Sequence, residues 1–162
     1  METIASIPKE KLVYVDETGI DSYLHRSHCY TPKGKAVIGF VSGRKYRRVG
    51  IVAAKMGKKI LSPLQYDGTM DSMLFETWFE SRLMRDLSVN SVIIMDNAAF
   101  HRKKILASIA QKYGHSLLFL PPYSPQLNPI ENFWAWLKQR LRSSITSFNS
   151  FDLALHDSFH VV

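Results

Sequence analysis

Residues 91–142 alternate between two hydrophobic periods, and that alternation limits the fold more than any other feature of the chain. Residues 91–95 (SVIIM) are a short, continuous apolar run, as expected of a buried strand. Residues 103–113 instead place Ile105, Leu106, Ile109, Ala110 and Tyr113 at helical spacing, and Gly114 follows where a helix end favours glycine. Residues 116–120 read as a strand closed by Pro121-Pro122. Residues 129–142 read as a helix whose buried stripe is Ile130, Phe133, Trp134, Leu137 and Leu141. Asn128 suits its N-cap and Pro129 its first turn. Strands joined through helices lie parallel in one sheet, with the helices covering its faces. Ligand sites in such sheets gather at the C-terminal ends of the strands.

The first half of the chain reads differently. Residues 12–15 form an apolar strand that ends at Asp16. Residues 35–42, 48–55 and 59–66 are strand candidates separated by Ser42-Gly43 and Met56-Gly57, plausible hairpin punctuation. Residues 71–87 read as a helix, with Phe75, Phe79, Leu83 and Leu87 four apart and Leu74 and Trp78 beside them. A meander followed by alternating helices and strands predicts an α/β fold: a mixed five-stranded, or slightly extended, sheet flanked by helices. Residues 1–10 read as a connector, 11–145 as one domain, and 146–162 as a weakly helical tail that stops abruptly. Apolar residues make up 46% of the 162, including nine Phe, seven Tyr and three Trp, which favours a packed core over disorder. No apolar run approaches the roughly 20 residues that span a bilayer, and METIASIPKEK has no hydrophobic signal segment. The lone Cys29 suits a reducing compartment, so the expected location is cytoplasmic.

A net charge of +7 favours a polyanionic partner, although plain solubility explains it equally well. Arg44, Lys45, Arg47 and Arg48 flank Tyr46 in a predicted hairpin tip; with Lys55, Lys58 and Lys59 they could track a DNA backbone or form an ordinary solvated hairpin. Arg102, Lys103 and Lys104 closely follow Asp96, which favours phosphate contact there. His25, His28 and Cys29 invite a zinc reading, but no second ligand pair at finger-like spacing supports it, and no zinc is expected.

Asp16 and Asp96 each follow an apolar strand directly. On neighbouring strands their carboxylates would converge, and a divalent cation relieves such repulsion. At 100° per residue, Glu131 lies about 100° round its helix from the centre of the apolar stripe, at the edge of the buried face. Lys138 and Arg142 share its flank. Each acid also has a purely structural reading. Asp16 can end a strand, Asp96 with Asn97 can make an Asx turn, and Asn128-x-x-Glu131 is a variant of the capping box.

VDETG (15–19), IIMDNAAFH (93–101) and LPPYSPQLNPIENFWAWLK (120–138) together resemble the catalytic domain of insertion-sequence transposases of the mariner superfamily. The resemblance covers residues 11–142, and the last segment is its most specific part. Thirty-four residues (97–130) lie between Asp96 and Glu131, similar to the branch whose third acid is Glu. The resemblance implies a ribonuclease H-like fold. It implies Asp16, Asp96 and Glu131 as catalytic acids holding two Mg²⁺ or Mn²⁺ ions. It also implies cleavage of double-stranded DNA at transposon ends and strand transfer into target DNA, commonly at TA. Asn97 and His101 match family positions beside the second acid. His101 could orient a phosphate, assist proton transfer or simply begin a helix, while Asn128 shapes the loop delivering Glu131. A homodimer on paired DNA ends and a bacterial, nucleoid-associated setting are the further expectations. Family members usually carry an N-terminal helix-turn-helix, and the few residues ahead of the first strand are too short for one, so the chain is expected to be a separately encoded second reading frame, a frameshift product's half or a trimmed copy, with a separately encoded half as the expected source of the helix-turn-helix. Two other readings stay open: a non-catalytic DNA-binding or assembly subunit from a decayed element, and a cellular ribonuclease H-like nuclease.

Overall fold

A computed structural model describes residues 6–22, 31–35, 46–88, 90–122 and 124–160. Among the described residues, five strands form one sheet: β1 (Leu12–Asp21), β2 (Arg48–Met56), β3 (Lys59–Asp67), β4 (Val92–Met95) and β5 (Ser116–Phe119), in the order β3-β2-β1-β4-β5. β1, β2 and β3 are antiparallel neighbours, whereas β4 runs parallel to β1 and to β5. The mixed sheet expected from the two kinds of period is therefore present. The strand expected over 35–42 and its Ser42-Gly43 turn fall outside the described residues, apart from Lys35. So do His25, His28 and Cys29.

β1 is longer than its apolar run predicted. It pairs with β4 only from Leu12 to Tyr14, but it pairs with β2 as far as Asp21 opposite Arg48. Asp16 thus sits inside a ten-residue strand rather than at its end. It lies just beyond the point where the parallel partner drops away, so one edge of β1 opens there. The two-residue turn between β2 and β3 begins at Gly57, whose φ of +59° is left-handed and suits glycine.

Among the described residues, four helical segments cover the sheet. α1 (Ser72–Trp78) runs directly into a π-helical turn (Phe79–Leu83) and a last α-helical turn (Met84–Asp86). Asp71 caps it, accepting a hydrogen bond from the Leu74 amide at 2.8 Å. α2 is Lys103–Lys112, α3 is Ile130–Ser144 and α4 is Phe151–His160. Side-chain alternation along β1 divides the core into two layers. Val13 and Val15 pack with Phe75, Trp78, Phe79, Leu83, Leu106 and Ala110 on the face covered by α1 and α2. Ile20, Val49, Ile51 and Ala53 pack with Trp134, Leu137 and Leu141 of α3 and with Ala154 and Leu155 of α4 on the other.

One expectation gains detail and one needs correction. The weakly helical tail contains a ten-residue helix, α4, seated in the second core layer. Its own apolar pattern is weak because part of what fixes it is polar: Asp152 accepts from Arg47 at 3.0 Å and from Gln65 at 2.8 Å, and Asp157 pairs with Arg140 at 3.0 Å. Asn128, expected to cap α3, does not do so with its side chain. The buried carboxamide turns back and donates to the Val15 carbonyl at 3.4 Å, so the capping box with Glu131 does not form.

Candidate active site

Asp16, Asp96 and Glu131 line one cleft of about 410 Å³, together with Asn97, Ala98, Leu120, Pro121, Pro122, Ser124 and Asn128. Three separate elements deliver the acids. β1 presents Asp16 on the face toward α3. The chain leaving β4 presents Asp96. The first turn of α3 presents Glu131, its solvent-exposed carboxylate clear of the buried stripe. The Asn128 bond to Val15 joins the start of α3 to the residue before Asp16, which sets two of these elements against each other.

The cleft is electrostatically costly without a counter-charge. Burial pushes the Asp16 carboxyl up to about 7, and the nearby Glu131 charge adds to the rise. The Trp134 indole opposes this by donating to Asp16 Oδ2 at 3.0 Å. Trp134, expected only as core, is both fully buried and a donor to the site. Asp96 moves the other way. A hydrogen bond from His101 is the largest cause holding its carboxyl below the ordinary value, and the Ala98 amide, donating to Oδ1 at 3.1 Å, assists. That amide contact is the Asx turn considered above, so the structural and the site readings of Asp96 coexist.

Glu17 was not anticipated. It follows Asp16 in sequence but points to the opposite face of β1, toward α1. Its Oε1 lies 3.9 Å from His101 Nε2, and burial, then the Asp16 and Asp96 charges, push its carboxyl up to about 8. Oε1 is buried with no hydrogen-bond partner among the described residues. A signal was available: Glu17 shares the strand phase of Val13 and Val15, and an acid on a buried face is an anomaly.

None of the predicted basic residues among the described ones lines the cleft. Arg47 is held by Asp67 and Asp152, both at 3.0 Å, and Arg102 by Glu76. Arg48 stands 3.9 Å from Asp21, and the Lys103 ammonium lies 5.3 Å from the centre of the Phe119 ring. Lys104 and Arg142 are exposed and Lys138 is half-buried, whereas Arg44 and Lys45 lie outside the described residues.

The model for the DDE superfamily endonucleases matches residues 11–152. The chain belongs to that family. It is 31% identical over 71 residues to the uncharacterized protein y4pE/y4sA of Sinorhizobium fredii (strain NBRC 101917 / NGR234), covering 44% of this chain and 50% of that protein. The Mos1 transposase paired-end complex with the left transposon end is similar in structure, with a TM-score of 0.68 at 12% identity over 98% of this chain and 55% of that one. The catalytic core domain of BIV integrase aligns with a TM-score of 0.55 at 16% identity, covering 93% of this chain and 81% of that core. The family member described here therefore has the ribonuclease H-like fold of transposase and integrase catalytic domains. It spans about half the length of the curated relative and of the Mos1 chain.

Proposed function

We propose that this DDE-family domain cuts DNA strands at transposon ends and joins the freed ends to target DNA, using divalent cations held by Asp16, Asp96 and Glu131. The observation that carries this reading is the convergence of the three carboxylates in one cleft, with Asp16 raised to about 7. A site built from anionic oxygens that repel one another fits a hard cation. Mg²⁺ or Mn²⁺ meets that description, and two ions are expected. The solved Mos1 paired-end complexes with Mn and with Mg support the choice by analogy of fold. When bound, such ions supply charge stabilisation to the attacking and leaving oxygens of an in-line phosphoryl displacement.

The chain's own residues prepare that chemistry. The Trp134 N–H orients Asp16 through Oδ2, and the Ala98 amide orients Asp96 through Oδ1. Asn128 fastens the α3 start, and with it Glu131, to β1. The Leu120-Pro121-Pro122 wall closes one side of the cleft with a segment that has few backbone donors to divert a phosphate. Water attacks the scissile phosphorus first and releases a 3′-hydroxyl; that hydroxyl then attacks a second phosphorus in target DNA, releasing another 3′-hydroxyl. Residues 11–145 carry this chemistry, and the tail closes the α3 face. Arg48, Lys103, Lys104, Lys138 and Arg142 are the cations assigned to contacts with DNA phosphates in this reading. Pairing of two copies on two DNA ends, and end recognition by a helix-turn-helix segment, belong to the same reading.

A Mg²⁺-dependent nicking assay on transposon-end DNA tests the proposal. Wild type is expected to nick the strand and Asp96→Asn to lose at least about two orders of magnitude, the scale on which electrostatic catalytic groups act. Equal activity of the two proteins would sink the assignment.

A further inference from the structure

Behind the cleft, on the face of β1 turned away from Asp16, lies a buried polar group. The His101 side chain is 1% exposed and wedged between two aromatic rings, its ring centre 4.4 Å from that of Phe75 and 4.2 Å from that of Phe100. Nε2 lies 3.3 Å from Asp96 Oδ1 and 3.9 Å from Glu17 Oε1. Nδ1 is buried with no partner among the described residues. A buried N–H left unpaired costs more than a buried lone pair facing aromatic carbon. The proton therefore belongs on Nε2, where Asp96 can accept it. The Ala98 amide donates to the same oxygen, Oδ1. The Ala98 N–H and His101 Nε2 thus both approach Oδ1 of Asp96, which leaves Oδ2 without a contact from either.

We propose that His101 is a positioning residue for the second acid. Through Nε2–H it holds Asp96 Oδ1, so that Oδ2 is presented to a divalent cation in a single orientation. This rests on the reading of Asp96 as a cation ligand. The competing arrangement is geometrically available: one ligand atom each from Glu17, Asp96 and His101 lies within 4.8 Å of the others, as a cation held directly by the three would require. The two distances from Nε2 favour positioning. At 3.3 Å Asp96 is within reach of donation, whereas Glu17 at 3.9 Å is outside it.

Mn²⁺ titration of the metal-free full chain, followed by calorimetry and by the loss of the free-ion electron paramagnetic resonance signal, separates these arrangements without DNA or turnover. His101→Leu fills the aromatic slot but donates nothing; His101→Gln restores an N–H at similar reach; Glu17→Gln removes a charge while keeping shape. Circular dichroism and thermal melting check that each variant folds. His101→Leu is expected to weaken Mn²⁺ binding about 10–100-fold, the usual effect of removing a residue that orients a metal ligand. His101→Gln is expected to recover most of that loss and Glu17→Gln to bind as wild type. Unchanged binding in His101→Leu would overturn the proposal. So would a loss in Glu17→Gln and His101→Gln as large as that in His101→Leu, which would make the cluster itself the cation site. Asp96→Asn distinguishes the underlying reading: if it binds Mn²⁺ as wild type, Asp96 is no ligand, whatever His101 does.

Discussion

At the scale of single residues, most of the site's chemistry comes from where a donor proton is aimed. Trp134 has the burial of a core residue, and nothing in the sequence distinguishes it from Phe133 beside it. Its indole N–H nevertheless ends on Asp16 Oδ2 at 3.0 Å and is the chief influence drawing that carboxyl down toward the ordinary range. Trp134→Phe keeps most of the apolar volume and removes the donor. The Asp16 carboxyl should then rise further above about 7. Cation binding needs the carboxylate, so the pH of half-maximal Mg²⁺-dependent nicking should move upward. The lost bond should also cost about 1 kcal/mol of stability. A pH–rate profile and a urea melt, run side by side, check both parts; an unchanged profile would mean that the bond does not govern Asp16. Glu17 makes the complementary point. Its identity and strand phase were readable in VDETG, but its neighbour His101 comes from a loop more than eighty residues away, and only folding brings the two within 3.9 Å.

At the scale of elements, periodicity identified the helices well and their internal geometry poorly. Phe75, Phe79 and Leu83 fall four apart. On a uniform α-helix each such step drifts about 40° round the axis. The π-helical turn over Phe79–Leu83 widens the backbone there and takes back part of that drift, so all three rings and chains stay in the core. α4 shows the opposite case. Its sequence looked marginal because an isolated ten-residue helix is marginal, and packing supplies what propensity lacks. Leu155 is 1% exposed among α3 side chains. Leu155→Ala should therefore cost about 2–5 kcal/mol in a chemical-denaturation experiment. Arg47→Ala removes only solvent-exposed ion pairs with Asp67 and Asp152 and should shift the same transition far less. If the order of the two effects were reversed, α4 would be held by its polar contacts and not by burial.

At the scale of the whole molecule, the acids set a dependence of stability on pH. Asp16 and Glu17 are raised to about 7 and about 8, well above their unfolded values near 4, so the folded state holds protons that the unfolded state has released. Stability from these two groups is present below about pH 4 and is lost as pH rises toward 8. Asp96, shifted downward, contributes in the opposite sense, but only as pH falls below the ordinary carboxylate range. The metal-free protein should melt at a lower temperature at pH 8 than at pH 6. A bound cation stabilises the ionised acids, so Mg²⁺ should raise the melting temperature more at pH 8 than at pH 6. Differential scanning calorimetry with and without Mg²⁺ reads both effects. A melting temperature that climbs from pH 6 to pH 8 without metal would contradict the electrostatic account of the cleft.

The sequence by itself determined the alternation of strands and helices, hence the mixed sheet, and it named the three acids that come to line one cleft. The alternation is local and written in side-chain period; the acids were pointed to by the motifs VDETG, IIMDNAAFH and LPPYSPQLNPIENFWAWLK that carry the family resemblance, since Asp16 lies inside its strand and not at its end. The tertiary structure alone decided that β1 continues past Asp16 and that Asn128 ties α3 to β1 instead of capping it. It also decided that the tail is a packed helix, that Arg47 and Arg102 are already occupied by carboxylates, and that Glu17 and His101 stand behind Asp96. Each of these depends on which distant group a polar atom finds once water is excluded. Hydrogen-bond partners are chosen by position in space, and no period along the chain encodes that choice.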